Sequence, residues 1–248
     1  MEGYDASTYG EGFADVYDEW YGDPAGVDAT VAVLADLAAG GPVLELGVGT
    51  GRLAIPLATR GLAVHGVDAS PAMVAALRDK PGGDRVAVTT ADFADVAVEV
   101  PGGFGLAFVA FNTLFNLPTA EAQARCFANV ARRLRPGGAF VVEAFVPDPD
   151  SAPAGGGLTT RSVAVDRVEL QATVADLAAQ TITGSTITIT EAGIRLRPWH
   201  VRWCTPDQLD AMAGHAGLAR AHRWSGWDRT DARPGDERLV TVYRRGEA

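Results

Sequence analysis

The chain has 248 residues, 47% apolar and 21% charged, with 31 acids against 21 bases and a formal charge of −10. That length suits one α/β domain with an insertion, and the apolar share allows a sizeable core. The acidic balance, with no basic run, argues against a nucleic-acid partner, and no apolar run is long enough to span a membrane.

The cysteine and lysine content narrows the chemistry further. Cys126 and Cys204 lie far apart and lack metal-ligand spacing, so a reduced cytoplasmic protein without a metal is expected. Met1 to Tyr21 is acidic and has no long apolar core, so no signal peptide is expected. Lys80 is the single lysine and precedes the loop Pro81-Gly82-Gly83. That counts against a phosphate-loop lysine, a Schiff base and a catalytic Tyr-Lys pair.

The first element in chain order is aromatic and acidic. Phe13, Tyr17, Trp20 and Tyr21 fall at helical spacing, which predicts a short amphipathic helix serving as core anchor or ligand flap. Asp23-Pro24 breaks the chain, and Val27 to Leu37 reads as a helix ended by Gly40-Gly41. Val43-Leu44-Glu45-Leu46 then reads as a buried parallel strand. It runs into Gly47, Gly49 and Gly51 and onward into a helix from Leu53. Strand, glycine turn and helix expose backbone N–H groups to a ligand that approaches the main chain closely.

Leu62 to Asp68 is a second buried strand with an acid at its carboxyl end, the place where an acid meets ribose hydroxyls in dinucleotide folds. Ser70 caps the next helix, with Pro71 in its first turn. Arg85 to Thr89 is a third strand, followed by Asp92-Phe93, an acid and a ring suited to frame an adenine. Phe104 to Ala110 is a fourth strand that leads into Phe111-Asn112-Thr113-Leu114-Phe115-Asn116. Thr119 to Leu134 is a helix, and Pro136-Gly137-Gly138 turns into a fifth strand, Ala139 to Phe145.

After Pro147 the texture changes. Asp148 to Gly157 reads as a linker. From Arg161 to Trp203 the chain alternates with period two, predicting antiparallel strands at Ser162–Asp166, Thr181–Thr190 and Ile194–Trp203. Thr205-Pro206 opens a helix, and Ala219–Trp227 and Arg238–Arg244 close the chain as strands. The expected division is 1–150 for an N-terminal flap and cofactor-binding core, 151–204 for a β insertion, and 205–248 for completion of the core sheet.

Four features agree in order: Glu45-x-Gly47-x-Gly49-x-Gly51, Asp68, Asp92-Phe93 and Pro136-Gly137-Gly138. Together they resemble the class I S-adenosylmethionine-dependent methyltransferases over nearly the whole chain. The resemblance implies an α/β, Rossmann-like seven-stranded sheet ordered 3-2-1-4-5-7-6, its last strand antiparallel, with an antiparallel β lid after strand 5. It implies S-adenosylmethionine as cofactor, leaving as S-adenosylhomocysteine. Gly47 and Gly49 would lie under the methionine part, with Glu45 on the strand before them. Asp68 would hold the ribose. Met73 or Ala69 would flank the adenine, and Asp92 would accept from its amino group, with Phe93 beside it. Ala110, Phe111 and Asn112 would line the floor below the sulfonium, and Arg52 is a candidate for an anionic group.

The segment around Tyr9, Ala14-Asp15-Val16-Tyr17-Asp18 and the lid resemble small-molecule members, including amino-sugar N-methyltransferases. There Tyr9 or Tyr17 would lie over cofactor or acceptor. Trp20, Tyr21, Phe111, Phe115, Asn116, Trp199 and Arg202 are the expected acceptor-site residues. No Asn-Pro-Pro-Tyr or Asp-Pro-Pro-Tyr follows strand 4. With the acidic charge, that favours a small, freely diffusing acceptor over a nucleic-acid base. The lid is also a candidate homodimer surface.

Methyl transfer is in-line displacement at an activated carbon, so alignment and exclusion of water matter most. An amine only has to arrive neutral, whereas a hydroxyl benefits from a base. His200 and Tyr9 are the candidate catalytic groups, with Glu143 a third; Arg195 and Arg197 are candidates for holding an anion. A nicotinamide-dependent oxidoreductase and a non-catalytic binding protein are the alternatives on the same sheet. The glycine spacing, which departs from G-x-G-x-x-G, speaks against the first.

Overall fold

The structure is a computed structural model that describes residues 1–22, 24–95, 97–147 and 156–247. In chain order it contains α1 (Thr8–Phe13), α2 (Tyr17–Tyr21), α3 (Pro24–Ala38), β1 (Val43–Leu46), α4 (Ala54–Thr59), β2 (Val64–Asp68), α5 (Pro71–Arg78), β3 (Ala87–Thr90), β4 (Phe104–Val109), α6 (Ala120–Arg133) and β5 (Leu134–Phe145). There follow β6 (Gly157–Val163), β7 (Arg167–Asp176), β8 (Thr181–Thr190), β9 (Gly193–Arg202), α7 (Pro206–His215), β10 (Leu218–Trp224) and β11 (Arg238–Arg245).

Seven strands form one sheet in the order β3-β2-β1-β4-β5-β11-β10. All neighbours are parallel except β11, which runs antiparallel to both β5 and β10. This is the expected 3-2-1-4-5-7-6 order. Every residue of β1 and of β4 is buried, because helices cover both faces and leave no strand position facing water. One apolar core joins the sheet to α6 and α7 through Phe127, Val130, Leu209 and Phe140. The other joins the opposite face to α3, α4 and α5 through Leu34, Leu57, Leu77 and Phe108. Each such side chain contributes about 1.5–3 kcal/mol by leaving water.

Local sequence sets the helix ends. Ser70 Oγ accepts from Met73 N at the start of α5, Thr119 Oγ1 accepts from Ala122 N, and Thr205 with Gln208 forms a reciprocal cap on α7, as expected of these residue types.

Three expectations need correction. The N-terminal aromatics are carried by two short helices, α1 and α2, rather than one. Pro136-Gly137-Gly138 does not separate helix from strand; β5 runs through it, with an irregularity that shifts the register between Phe104↔Leu134 and Leu106↔Ala139. The β insertion has four strands, not three, in a separate sheet ordered β6-β7-β8-β9. Val163 ends β6, and Ala164 to Asp166, expected as strand, make the turn into β7, where Ala164 N donates to Arg167 O at 2.8 Å. Most of the expected linker 148–157 and the domain boundary at 150 lie outside the described residues. Among the described residues no helix is long and apolar enough to cross a membrane.

Candidate functional site

Two cavities meet above the carboxyl ends of β1, β2 and β4, the edge at which open parallel sheets take ligands. The first has a volume of about 330 Å³ and is bordered by Gly47, Gly49, Asp68, Met73, Asp92 and Phe93 among others. The second, of about 250 Å³, lies between α1, α2, the corner after β4 and the inner face of the four-stranded sheet. Tyr9, Tyr17, Thr113 and Asn116 border both, so they form a common wall.

The first cavity is built by the glycine turn. Gly47 has φ +69° and Gly49 φ +53°, which glycine adopts without the steric cost of a Cβ. A Cβ on Gly47 would stand 2.3 Å from Thr113 Cγ2. A Cβ on Gly49 would meet only Met73 Sδ at 4.0 Å, so it would project into the cavity. Asp68 Oδ2 accepts from Gly49 N at 2.8 Å and Oδ1 from Ser70 N at 2.9 Å. Burial nevertheless raises the Asp68 pKa, against the pull of those N–H donors. Asp92 borders the cavity while its Oδ1 accepts from Ala94 N at 2.8 Å. Ala69 borders the cavity as well.

Glu45 lies beneath this turn at 5% exposure and borders neither cavity. Burial pushes its carboxyl up to about 8, partly offset by Arg52, and its Oε2 has no hydrogen-bond partner among the described residues. Arg52 borders neither cavity; its guanidinium lies 5.3 Å from the Phe111 ring centroid.

The N-terminal segment closes the top. Glu11 Oε1 accepts from Ser70 Oγ at 2.7 Å and from Ala72 N at 3.0 Å. Asp18 accepts from Thr50 Oγ1 at 2.7 Å and pairs with Lys80 at 2.6 Å. The lone lysine therefore fastens α2 over the glycine turn. On the other side Asp15 pairs with Arg195 at 2.7 Å and Arg197 at 3.1 Å on β9.

The second cavity is largely aromatic. Tyr9 stacks on Phe13 at 4.5 Å, Tyr17 lies 5.0 Å from Tyr21, and Tyr21 meets Phe111 at 5.2 Å. Burial raises Tyr9 well above the usual phenol range and Tyr17 to about 12. Phe111 and Asn112 have φ +54° and +65°, an uncommon conformation for residues with a Cβ. Glu143 holds that corner: Oε2 accepts from Phe111 N at 2.8 Å and its carbonyl accepts from Asn112 N at 3.1 Å. Asn112 Oδ1 in turn accepts from Phe145 N at 2.6 Å.

Several expected site residues fall elsewhere. Ala110 and Phe115 are buried in the core, Phe115 against Phe145 at 5.0 Å. Trp20 lies behind the cavity under Arg161 and Arg197. Arg202 donates to Gln123 Oε1 and Gln180 Oε1 and borders neither cavity. His200 borders the first cavity and not the second. It sits on β9 next to Trp199, so its side chain leaves the opposite face of the strand. Its Nδ1 bonds Thr183 Oγ1 at 2.8 Å, and partial burial lowers its pKa. Glu143 supports the corner from outside both cavities. Tyr21, Phe111, Asn116 and Trp199 do border the second cavity.

Sequence reasoning missed Tyr4, Thr113, Arg161, Gln171, Ile182 and Thr186. Thr113 was legible, since it follows Phe111-Asn112 directly. The lid residues were not, because which face of a strand looks inward depends on how the lid docks.

Glycine turn, strand-end acid and cavity define a nucleoside-binding α/β protein of the Rossmann-like type. The model of a methyltransferase domain matches residues 43–138. The chain is 31% identical to the cypemycin N-terminal methyltransferase of a Streptomyces species, over 86% of this chain and 88% of that one. The CcbJ methyltransferase of Streptomyces caelestis superposes with a TM-score of 0.90 at 38% identity, covering 99% and 100% of the two chains. CalS10, an amino pentose methyltransferase from Micromonospora echinaspora solved with S-adenosylmethionine bound, superposes with a TM-score of 0.68 at 22% identity over 93% and 96%. The chain belongs to the class I S-adenosylmethionine-dependent methyltransferases. Its cofactor is S-adenosylmethionine, which sets aside the nicotinamide alternative.

Proposed function

We propose that this enzyme methylates the amine nitrogen of a small acceptor in natural-product biosynthesis. The observation that carries the reading is the shared wall of Tyr9, Tyr17, Thr113 and Asn116 between a nucleoside-sized cavity and a smaller aromatic one. A cofactor in the first and an acceptor in the second would meet there. The relative at 31% identity is named for N-terminal methylation, which points to the same atom.

The residues present fit the cofactor. A Cβ at Gly49 would fill space that a ligand needs, and Asp68 presents a carboxylate to the cavity. In this reading Asp68 grips the ribose, Asp92 and Phe93 frame the adenine, and Gly47 and Gly49 let the methionine part lie on the backbone. Glu45 and Arg52 support the turn from behind. When bound, S-adenosylmethionine supplies a methyl group activated by its sulfonium.

The protein's part is alignment. Holding acceptor and cofactor on either side of one wall supplies up to about 7–11 kcal/mol through proximity and orientation. Among the described residues no Asp, Glu or His borders the second cavity, and the raised pKa values keep Tyr9 and Tyr17 protonated at neutral pH. None of these groups takes a proton from an acceptor, so a nucleophile that arrives neutral is favoured over a hydroxyl. The rings of Tyr9, Tyr17 and Tyr21 stabilise the charge that develops on nitrogen. The lid's outer face exposes Leu158, Val174, Ile189, Ile194 and Leu196, which supports pairing with a second copy there.

The test is a screen of amines against matched alcohols and phenols, read by mass. A 14-dalton gain on amines only, dependent on S-adenosylmethionine, is the expected result. Transfer to alcohols alone overturns the nitrogen assignment.

A further inference from the structure

We propose that Arg161 selects the acceptor by gripping an anionic oxygen group, in its simplest form a carboxylate, carried on the amine. This rests on the methyl-transfer reading of the two cavities and adds the acceptor's second functional group.

Arg161 is delivered by a break in the ladder. Thr160 pairs with Leu170 and Ser162 with Glu169, so Arg161 opposes no residue of β7. Such a bulge re-aims one side chain, and here the re-aimed one borders the acceptor cavity. The Arg161 guanidinium carbon lies over the Trp20 ring, 4.1 Å from its centroid, and 5.6 Å from the Tyr21 centroid. A cation–π contact of this kind holds the guanidinium in place without giving its N–H donors an acceptor oxygen.

Those donors have no close protein acceptor among the described residues. The nearest carboxylate, Glu169, stands 3.9 Å from Nε and is already engaged by Ser162 Oγ at 3.0 Å. Gln171 and Thr186, paired across β7 and β8, border the same cavity. Thr186 is only 2% exposed. A fork of charged donors sharing the cavity with an amide and a hydroxyl, with no acid among the described residues that line it, matches a carboxylate. Arg161, Gln171 and Thr186 do not border the cofactor cavity. The oxyanion therefore sits at the lid end and the amine at the wall of Tyr9 and Tyr17.

The test titrates the protein, with and without S-adenosylhomocysteine, with phenylacetate and with phenylacetamide, following tryptophan fluorescence. Trp199 borders the cavity and Trp20 lies under Arg161, so both report occupancy. Phenylacetate is expected to bind at least about tenfold tighter than the amide, the scale of one charge-assisted fork. Arg161→Met, or Arg161→Gln should the first variant fold poorly, brings the two within about twofold, while Gln171→Leu keeps the preference. Equal affinities in the native protein, or a preference that survives loss of Arg161, overturn the proposal. Calorimetry with S-adenosylhomocysteine on the same samples separates the failures. Loss of that binding defeats the methyl-transfer reading, whereas intact binding without a carboxylate preference defeats only the role of Arg161.

Discussion

Gly49 N–H donates to Asp68 Oδ2 at 2.8 Å, tying the acid at the end of β2 to the turn that follows β1. The hydrogen bond orients the carboxylate across the cofactor cavity before any ligand arrives. Asp68→Ala removes both this acceptor and the one that takes Ser70 N. It should weaken S-adenosylhomocysteine binding by at least about thirtyfold, near 2 kcal/mol. Asp68→Asn keeps an acceptor oxygen and should fall between. Calorimetric affinity in Asp68→Ala equal to the native value would show that the acid is structural.

Gly49→Ala separates folding from binding. The added Cβ meets almost nothing in the fold but enters the cavity, at φ +53°. A loss of about 1–2 kcal/mol in stability is expected from the left-handed conformation. Binding of S-adenosylhomocysteine should be lost altogether. A variant that melts slightly lower and still binds normally would move the ligand away from this turn.

Glu45 makes stability depend on pH. Its folded pKa of about 8 stands above the ordinary value of 4.5, because burial disfavours the charged form. The folded state therefore holds the proton more tightly. That contribution is fully present below pH 4.5 and is lost as pH rises through 8. Glu45→Gln should flatten this decline and be more stable than the native protein at pH 9, by an amount on the order of a few kcal/mol. Urea unfolding at pH 5, 7 and 9 measures it, and parallel curves for the two proteins would mean Glu45 is charged in the fold.

Asp15 joins the N-terminal segment to the lid through Arg195 and Arg197, the latter only 4% exposed. Asp15→Ala leaves a buried guanidinium with one fewer partner. The half-exposed Asp15 moderates the cost to about 1–2 kcal/mol. Because α1 and α2 carry Tyr9, Tyr17 and Tyr21, acceptor KM should rise more than the affinity for S-adenosylhomocysteine falls. Equal change in both would argue that the clamp does not shape the acceptor cavity.

The pH profile of turnover should show one ascending limb, set by the pKa of the acceptor amine. Burial holds Tyr17 near 12 and lowers His200, which moves both away from the range of an ordinary amine. His200→Gln and Tyr17→Phe should therefore leave its midpoint in place while changing rate or KM. A midpoint that moves with His200→Gln would restore the imidazole as a base.

The sheet was legible because its signals are local. Apolar runs ending at Gly47, Asp68 and Phe111 mark strand ends, and helices between β1 and β2, β2 and β3, and β4 and β5 signal the parallel order. The cofactor cavity was legible for the same reason, since Gly49 and Asp68 belong to the turns themselves. Phe115 was misplaced because one residue along a helical turn rotates a side chain from cavity to core. His200 borders the cofactor cavity rather than the acceptor cavity because adjacent strand residues leave on opposite faces. Arg161 was invisible because a bulge shows only when β6 is paired with β7.

By itself, then, the sequence determined the parallel sheet, the glycine turn and the acid that faces it, all set by short-range backbone and burial preferences. Only the tertiary structure decided the acceptor cavity. Its walls come from α1 and α2, the corner after β4 and the lid, segments separated in the chain and joined by ion pairs such as Asp15–Arg197. Contacts of that kind depend on how separate pieces dock, and no local pattern of residues encodes the docking.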